Sequence, residues 1–181
     1  MSRQELLQKA ITGEHNAIRR YAEFARVADQ EKLPNVAYLF KALVAGERVH
    51  LENHKRALGE PFTPADEPIE VRSTLENLKA ALVGETWESR EMYPALLKAL
   101  KRGKEEADEI ARLSFNWALG TEMTHSMVLQ KAIERVAQGD DAINVTFHVC
   151  LACGNLRAGD NLTGICPVCK HDARLYKEVA R

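Results

Sequence analysis

Apolar residues near the start of the chain fall on one broad stripe. Leu6, Leu7, Ala10, Ile11, Ala17, Ile18, Tyr21, Phe24, Ala25 and Ala28 share it, the spacing of a helix with one buried face. The period predicts a helix over residues 3–31, interrupted near its middle at Gly13-Glu14. Leu33-Pro34 restarts the chain, since proline suits a first helical turn, where its missing N–H costs nothing. The second helix reads to Leu58, with Gly59 as its stop. Pro61, Pro64 and Pro68 make residues 59–72 an extended connection, too long for a tight hairpin. Ser73-Thr74-Leu75-Glu76 is a capping box and opens a third helix. That helix passes Gly84-Glu85 and Pro94, where a kink or local irregularity is expected, and ends near Gly103. A fourth begins in the acidic turn Glu105-Glu106-Ala107-Asp108, which suits the positive end of the helix dipole, and runs to about Ala137. Gln138-Gly139-Asp140-Asp141 is a polar boundary. Beyond it, Asn144–Phe147 and the cysteine segments read as short strands and turns.

Four long helices in two similar pairs predict an all-α four-helix bundle over residues 1–138. A small β/turn module follows over residues 139–181. The second and fourth helices carry one motif twice: Phe40, Glu47, His50 and then Phe115, Glu122, His125, each displaced by 75 positions. Glu and His three apart lie ~60° apart on one helix face. A chain with 6 His has about 0.6 such pairs by chance, so the count alone is weak. The shared register inside a half-to-half repeat is what singles them out, against the plainer reading of solvated helix faces. Facing helices that each present a carboxylate and an imidazole are how a bundle builds a two-metal site.

Glu14 and Glu85 complete the set, each in mid-helix where a buried carboxylate is costly without a cation. The glycine before each is expected to make room beside it. Oxygen ligands with one imidazole per metal fit iron or manganese better than structural zinc. The halves differ at one place, where Glu88 stands opposite Ala17. The candidate ligands are then Glu14, Glu47, His50, Glu85, Glu88, Glu122 and His125, one more than a bridged pair of ions with four carboxylates and two histidines needs. We expect Glu88 and His50 to compete for one metal. Tyr21 and Tyr93 read either as core aromatics or as hydrogen-bond donors to ligands or bound peroxide. Trp87 and Phe40 are expected to pack. His54 is expected beside the ligands or at the surface, and His15, His148 and His171 at the surface.

All four cysteines lie in two C-x-x-C pairs, Cys150/Cys153 and Cys166/Cys169. With no apolar leader at the N-terminus they point to thiolate metal ligands rather than disulfides. Two such knuckles form a tetrahedral site for iron or zinc, and in so short a module the metal also holds the fold together. A net charge of −1 and a pI near 6.6 offer nothing to nucleic acid or an anionic membrane. No window approaches the ~20 apolar residues of a membrane span. The expectation is a soluble cytoplasmic protein.

Taken together, Gly13-Glu14, Gly46-Glu47-Arg48-Val49-His50, Gly84-Glu85 through Tyr93-Pro94, Glu122-Met123-Thr124-His125 and the two knuckles resemble the rubrerythrins. The extra Glu88 is the most specific part of the match. The resemblance covers nearly the whole chain and implies a ferritin-like di-iron bundle followed by a rubredoxin-like FeS4 domain. It implies reduction of hydrogen peroxide to water at two carboxylate-bridged irons, with electrons entering through the FeS4 centre from an external reductase or rubredoxin-type donor. It also implies movement of one iron between His50 and Glu88 on oxidation, and roles beside the irons for Tyr21 and Tyr93. Further implications are a homodimer, sometimes helix-swapped, and an FeS4 centre that serves the partner subunit's di-iron site. Asn155 and Lys170 depart from the rubredoxin pattern, where an aromatic and a glycine are common. The alternatives are a ferroxidase or other iron-handling or O2-reducing protein, and a zinc-loaded binding protein.

Overall fold

A computed structural model describes residues 1–100 and 105–181. The expected end of the third helix, near Gly103, lies outside the described residues. Ser2 caps the first helix, α1 (Arg3–Gln30): its hydroxyl accepts from the Glu5 N–H at 3.2 Å, and the Glu5 carboxylate accepts from the Ser2 N–H at 2.6 Å. α1 continues through Gly13 without a break, contrary to the interruption expected there. One interior glycine costs a helix only about 1 kcal/mol, and the buried stripe of α1 along its neighbour outweighs that.

Lys32, at φ 61°, turns the chain into α2 (Pro34–Leu58), which Gly59 ends in the left-handed conformation. Residues 60–73 form neither helix nor strand. The capping box at Ser73 opens α3 (Thr74–Trp87), which passes into a π-helical turn (Glu88–Met92) and then α4 (Tyr93–Ala99). These three pieces are the expected third helix, with its irregularity just before Pro94. The fourth is α5 (Glu106–Val136). α2 packs on α1 and α5, and α3 packs on α5 and α1. The bundle therefore has an α2/α5 seam and an α1/α3 seam on opposite sides. No helix among the described residues is long and apolar enough to cross a membrane.

Two apolar layers flank the middle of the bundle. Tyr21, Phe24, Leu39, Phe40, Leu43 and Leu129 fill one, and Leu6, Leu7, Leu96 and Phe115 the other. Phe40 packs as expected; Trp87 does not, and stays half-exposed on the outer side of the π turn.

The C-terminal module is a three-stranded antiparallel sheet, β1 (Phe147–Cys150) between β2 (Leu156–Ala158) and β3 (Tyr176–Glu178). It lies along α2, where the Tyr38 hydroxyl accepts from the Phe147 N–H at 3.1 Å and donates to the Val179 carbonyl at 2.8 Å. His148, expected at the surface, is buried in β1. The departure at Lys170 has a backbone cost, since it sits at φ 63°. An L-residue pays roughly 1–2 kcal/mol for that conformation and glycine does not. Lys170→Gly is therefore expected to stabilise the module by about 1 kcal/mol, read as a higher midpoint in thermal unfolding followed at its metal centre.

Candidate metal centre

Glu14, Glu47, Glu85 and Glu122 come from the four helices and meet in the belt between the apolar layers, with His50 and His125. All six are buried, none above 1% exposure. They form two overlapping quartets, Glu14-Glu47-His50-Glu122 and Glu47-Glu85-Glu122-His125, each with one donor atom per residue within 4.8 Å of the others. His50 Nδ1 lies 2.8 Å from Glu47, 2.9 Å from Glu122 and 3.5 Å from Glu14. His125 Nδ1 lies 3.1 Å from Glu47, 3.1 Å from Glu122 and 3.4 Å from Glu85. Close as they are, Glu14 Oε2, both oxygens of Glu47 and Glu122, Glu85 Oε2 and both Nδ1 atoms make no hydrogen bond. Buried polar atoms in that condition are costly, and two cations shared between the quartets would satisfy them all. The donor set fits two hard or borderline metal ions.

The electrostatics agree. Burial pushes Glu122 up first, and the Glu47 carboxylate adds to it. Burial alone would pull His50 and His125 down, but the facing carboxylates hold both well above the ordinary imidazole value.

Outside the quartets the two halves brace each other. The Tyr21 hydroxyl donates to Glu85 Oε1 at 2.6 Å, and the Tyr93 hydroxyl donates to Glu14 Oε1. Tyr21 is seven residues after Glu14, while Tyr93 is eight after Glu85. The π turn absorbs that extra residue and returns Tyr93 to the bundle interior. Glu88 sits in this turn, 4% exposed, and belongs to neither quartet. Burial and then the carboxylates of Glu14 and Glu122 push it well above the ordinary range.

Of its two expected places His54 takes the one beside the ligands, fully buried with its Nε2 3.6 Å from Glu14 Oε1. Its Nε2 meets the Tyr93 hydroxyl at 2.9 Å and its Nδ1 meets Ser114 Oγ at 2.5 Å. Its position one turn after His50 was the available signal. Gly13 and Gly84 are not needed to admit another segment, because away from its own stretch of helix a Cβ at either would meet nothing closer than 3.7 Å. The glycines that matter are elsewhere. A Cβ at Gly46 would lie 2.8 Å from His125 Cε1, one at Gly120 2.9 Å from Val168 Cγ1, and one at Gly154 2.6 Å from His50 Nε2.

Those three glycines let the cysteine module press on the α2/α5 seam. With His50 Nδ1 turned to the carboxylates, its Nε2 carries the hydrogen and donates to the Cys153 carbonyl at 3.0 Å. Thr121 Oγ1 donates to the same carbonyl at 3.0 Å, and Asn53 Nδ2 to the Ala152 carbonyl at 2.8 Å. The four cysteines form no disulfide. Their sulfurs converge, with Cys150 and Cys169 3.7 Å apart and Cys153 and Cys166 3.5 Å apart. A tetrahedron with ~2.3 Å metal–sulfur bonds has edges of about 3.8 Å, so the cluster fits one such ion. Within the chain, the cluster packs against His50, Asn53 and Thr121 of the α2/α5 seam.

The rubrerythrin family model matches residues 5–133. The chain belongs to the rubrerythrin family. It is 28% identical over 169 residues to rubrerythrin-2 of Clostridium acetobutylicum, which spans 91% of this chain and 90% of that one. It is likewise 28% identical to nigerythrin of Nitratidesulfovibrio vulgaris, over 91% of this chain and 80% of that one. A solved structure of nigerythrin in a mixed-valent state superposes with a TM-score of 0.85 at 28% identity, covering 98% of this chain and 86% of that one. Rubrerythrins and nigerythrins are di-iron oxidoreductases of oxidative-stress defence that use electron donors and form dimers. The ferritin-like bundle and the four-cysteine module of this rubrerythrin-family chain have that architecture.

Proposed function

We propose that this chain reduces hydrogen peroxide to water, with electrons relayed from an external donor through an iron held by Cys150, Cys153, Cys166 and Cys169. Glu14, Glu47, Glu85, Glu122, His50 and His125 would hold two further irons, and Glu88 would compete with His50 for one of them. When bound, the paired irons supply the two electrons that peroxide takes up with two protons to give two waters. The observation that carries this reading is the hydrogen bond from His50 Nε2 to the Cys153 carbonyl. It joins the two centres through one imidazole and one cysteine, an inlet for which iron storage has no need.

The rest of the chain supports the same division of labour, bundle over residues 1–138 and relay over 139–181. Tyr21 holds Glu85 Oε1 and so orients Oε2 toward His125, while Tyr93 holds Glu14 Oε1, the oxygen 3.5 Å from His50 Nδ1. On the side away from the cysteine module, a cavity of about 500 Å³ opens at the α1/α3 seam, lined by Gly13, Arg20, Gly84, Trp87, Glu88 and Met92 among others. Electrons would arrive at one seam and a small substrate at the other. The setting is a cytoplasmic homodimer, with the donor a reductase or a rubredoxin-type protein.

The deciding experiment is anaerobic reduction of the iron-loaded protein, followed by stopped-flow mixing with peroxide or with O2. Peroxide is expected to reoxidise both centres much faster; faster reoxidation by O2 would favour the O2-reducing alternative. Gly154→Ala tests the inlet. Its Cβ would strike the His50 ring and the Gly46 carbonyl at a residue already at φ +83°. Re-reduction of the paired irons should slow about tenfold or more, while their first reaction with peroxide keeps its rate.

A further inference from the structure

We propose that Asn155 and Tyr176 set the reduction potential of the four-cysteine centre and tie that potential to docking on the bundle. The inference rests on the reading that the module holds iron. A chain of hydrogen bonds, part-buried at Thr124 and buried beyond it, crosses the seam here. Thr124 Oγ1 of α5 lies 3.0 Å from Asn155 Oδ1, Asn155 Nδ2 donates to the Tyr176 hydroxyl oxygen at 2.6 Å, and the Tyr176 hydroxyl donates to Cys166 Sγ at 3.3 Å. Asn155 is 1% exposed. It stands where rubredoxins often carry an aromatic, and the ring comes from Tyr176 instead, with the Arg157 guanidinium 5.4 Å from the ring centroid.

The direction of the chain follows from its end. A metal-bound thiolate can only accept. The Tyr176 hydroxyl has one hydrogen, and with the Asn155 amide donating to its oxygen that hydrogen is free for Cys166. The amide can hold this orientation only if its own oxygen is satisfied. Thr124 does so when it gives its hydrogen to Asn155 rather than to the Thr121 carbonyl 2.7 Å away. Turning the amide over would spend the phenol's hydrogen on Asn155 Oδ1 and leave the thiolate without it. Thr124 lies on the bundle and the other three groups on the module, so the full chain exists only in the docked state.

A hydrogen bond to a ligating sulfur favours the reduced, more negative centre and raises its potential. Asn155 and Tyr176 are thus positioning residues. The test is the midpoint potential of the iron–sulfur centre in the full-length protein, by optical titration. Tyr176→Phe removes the donor and should lower the equilibrium constant for reduction by about tenfold, the scale of one hydrogen bond, which is ~59 mV for one electron. Thr124→Val keeps the shape, frees the Asn155 amide and should move the potential in the same direction by less. A red Tyr176→Phe protein with an unmoved potential overturns the proposal. A shift in Tyr176→Phe with none in Thr124→Val overturns the link to docking. If Tyr176→Phe loses its iron, Thr124→Val decides alone, since it lies outside the module. A colourless wild-type protein holding zinc would instead defeat the iron reading underneath.

Discussion

Glu122→Gln is expected to cost the bundle both of its metal ions and to take peroxide turnover to background. Glu122 belongs to both quartets, one oxygen 2.9 Å from His50 Nδ1 and the other 3.1 Å from His125 Nδ1, and neither oxygen has a hydrogen bond. Glutamine keeps the shape but replaces one oxygen with an NH2 that cannot face a cation. Loss of a partner beside a metal ligand already costs about 10–100-fold in affinity or activity, so loss of a shared ligand should cost at least ~10²-fold for the pair. Glu14 and Glu85 each serve one quartet only, and their glutamine variants should each retain one ion. Metal content after dialysis against a chelator checks this.

The same substitution should act in the opposite sense on protein stripped of metal. Burial, then Glu47, raises the folded pKa of Glu122 above its unfolded value. A carboxylate shifted that way contributes stability below the unfolded pKa of about 4.3 and loses it as pH rises. At pH 7 folding of the stripped protein is therefore penalised by this shift, and Glu122→Gln should melt higher than stripped wild type. At pH 4 the gain should vanish. A stripped variant that melts lower at pH 7 would mean that Glu122 holds the helices together without a cation.

The repeat made this centre readable. Glu47-x-x-His50 and Glu122-x-x-His125 announce themselves because helical period, register and half-to-half offset agree, and Glu14 and Glu85 follow from the same symmetry. The spacing of seven from Glu14 to Tyr21 against eight from Glu85 to Tyr93 even held the π turn, though only as an expected irregularity near Pro94. What stayed hidden depends on contacts between distant segments. Nothing local says that Gly46 and Gly154 meet, or that Gly13 and Gly84 have room to spare. The choice between the two places expected for His54, and the burial of His148 in β1, likewise need the packed helices and sheet. How closely the knuckles approach the bundle is likewise set by the three glycines and not by any local pattern.

Glu88→Ala is expected to separate metal uptake from turnover. The six residues of the two quartets have their donor atoms in reach of one another without Glu88, so the variant should bind two irons in the reduced state as wild type does. Turnover with peroxide should still fall by about 10²-fold, the loss that ~1 Å of misplacement can cause. The physical reason would be the proposed competition between Glu88 and His50. A hard carboxylate suits the oxidised ion and an imidazole the reduced one, and Glu88 lines the α1/α3 cavity. The proposed exchange also suits His50 better than His125. Its Nε2 is held by the Cys153 carbonyl, so the imidazole keeps its place when Nδ1 lets go, whereas His125 Nε2 has no hydrogen bond. The oxidised spectrum of Glu88→Ala should therefore differ from that of wild type, while its reduced form does not. Unchanged oxidised spectra together with unchanged turnover would show that His50 never leaves its iron, and Glu88 would then serve only the wall of the cavity.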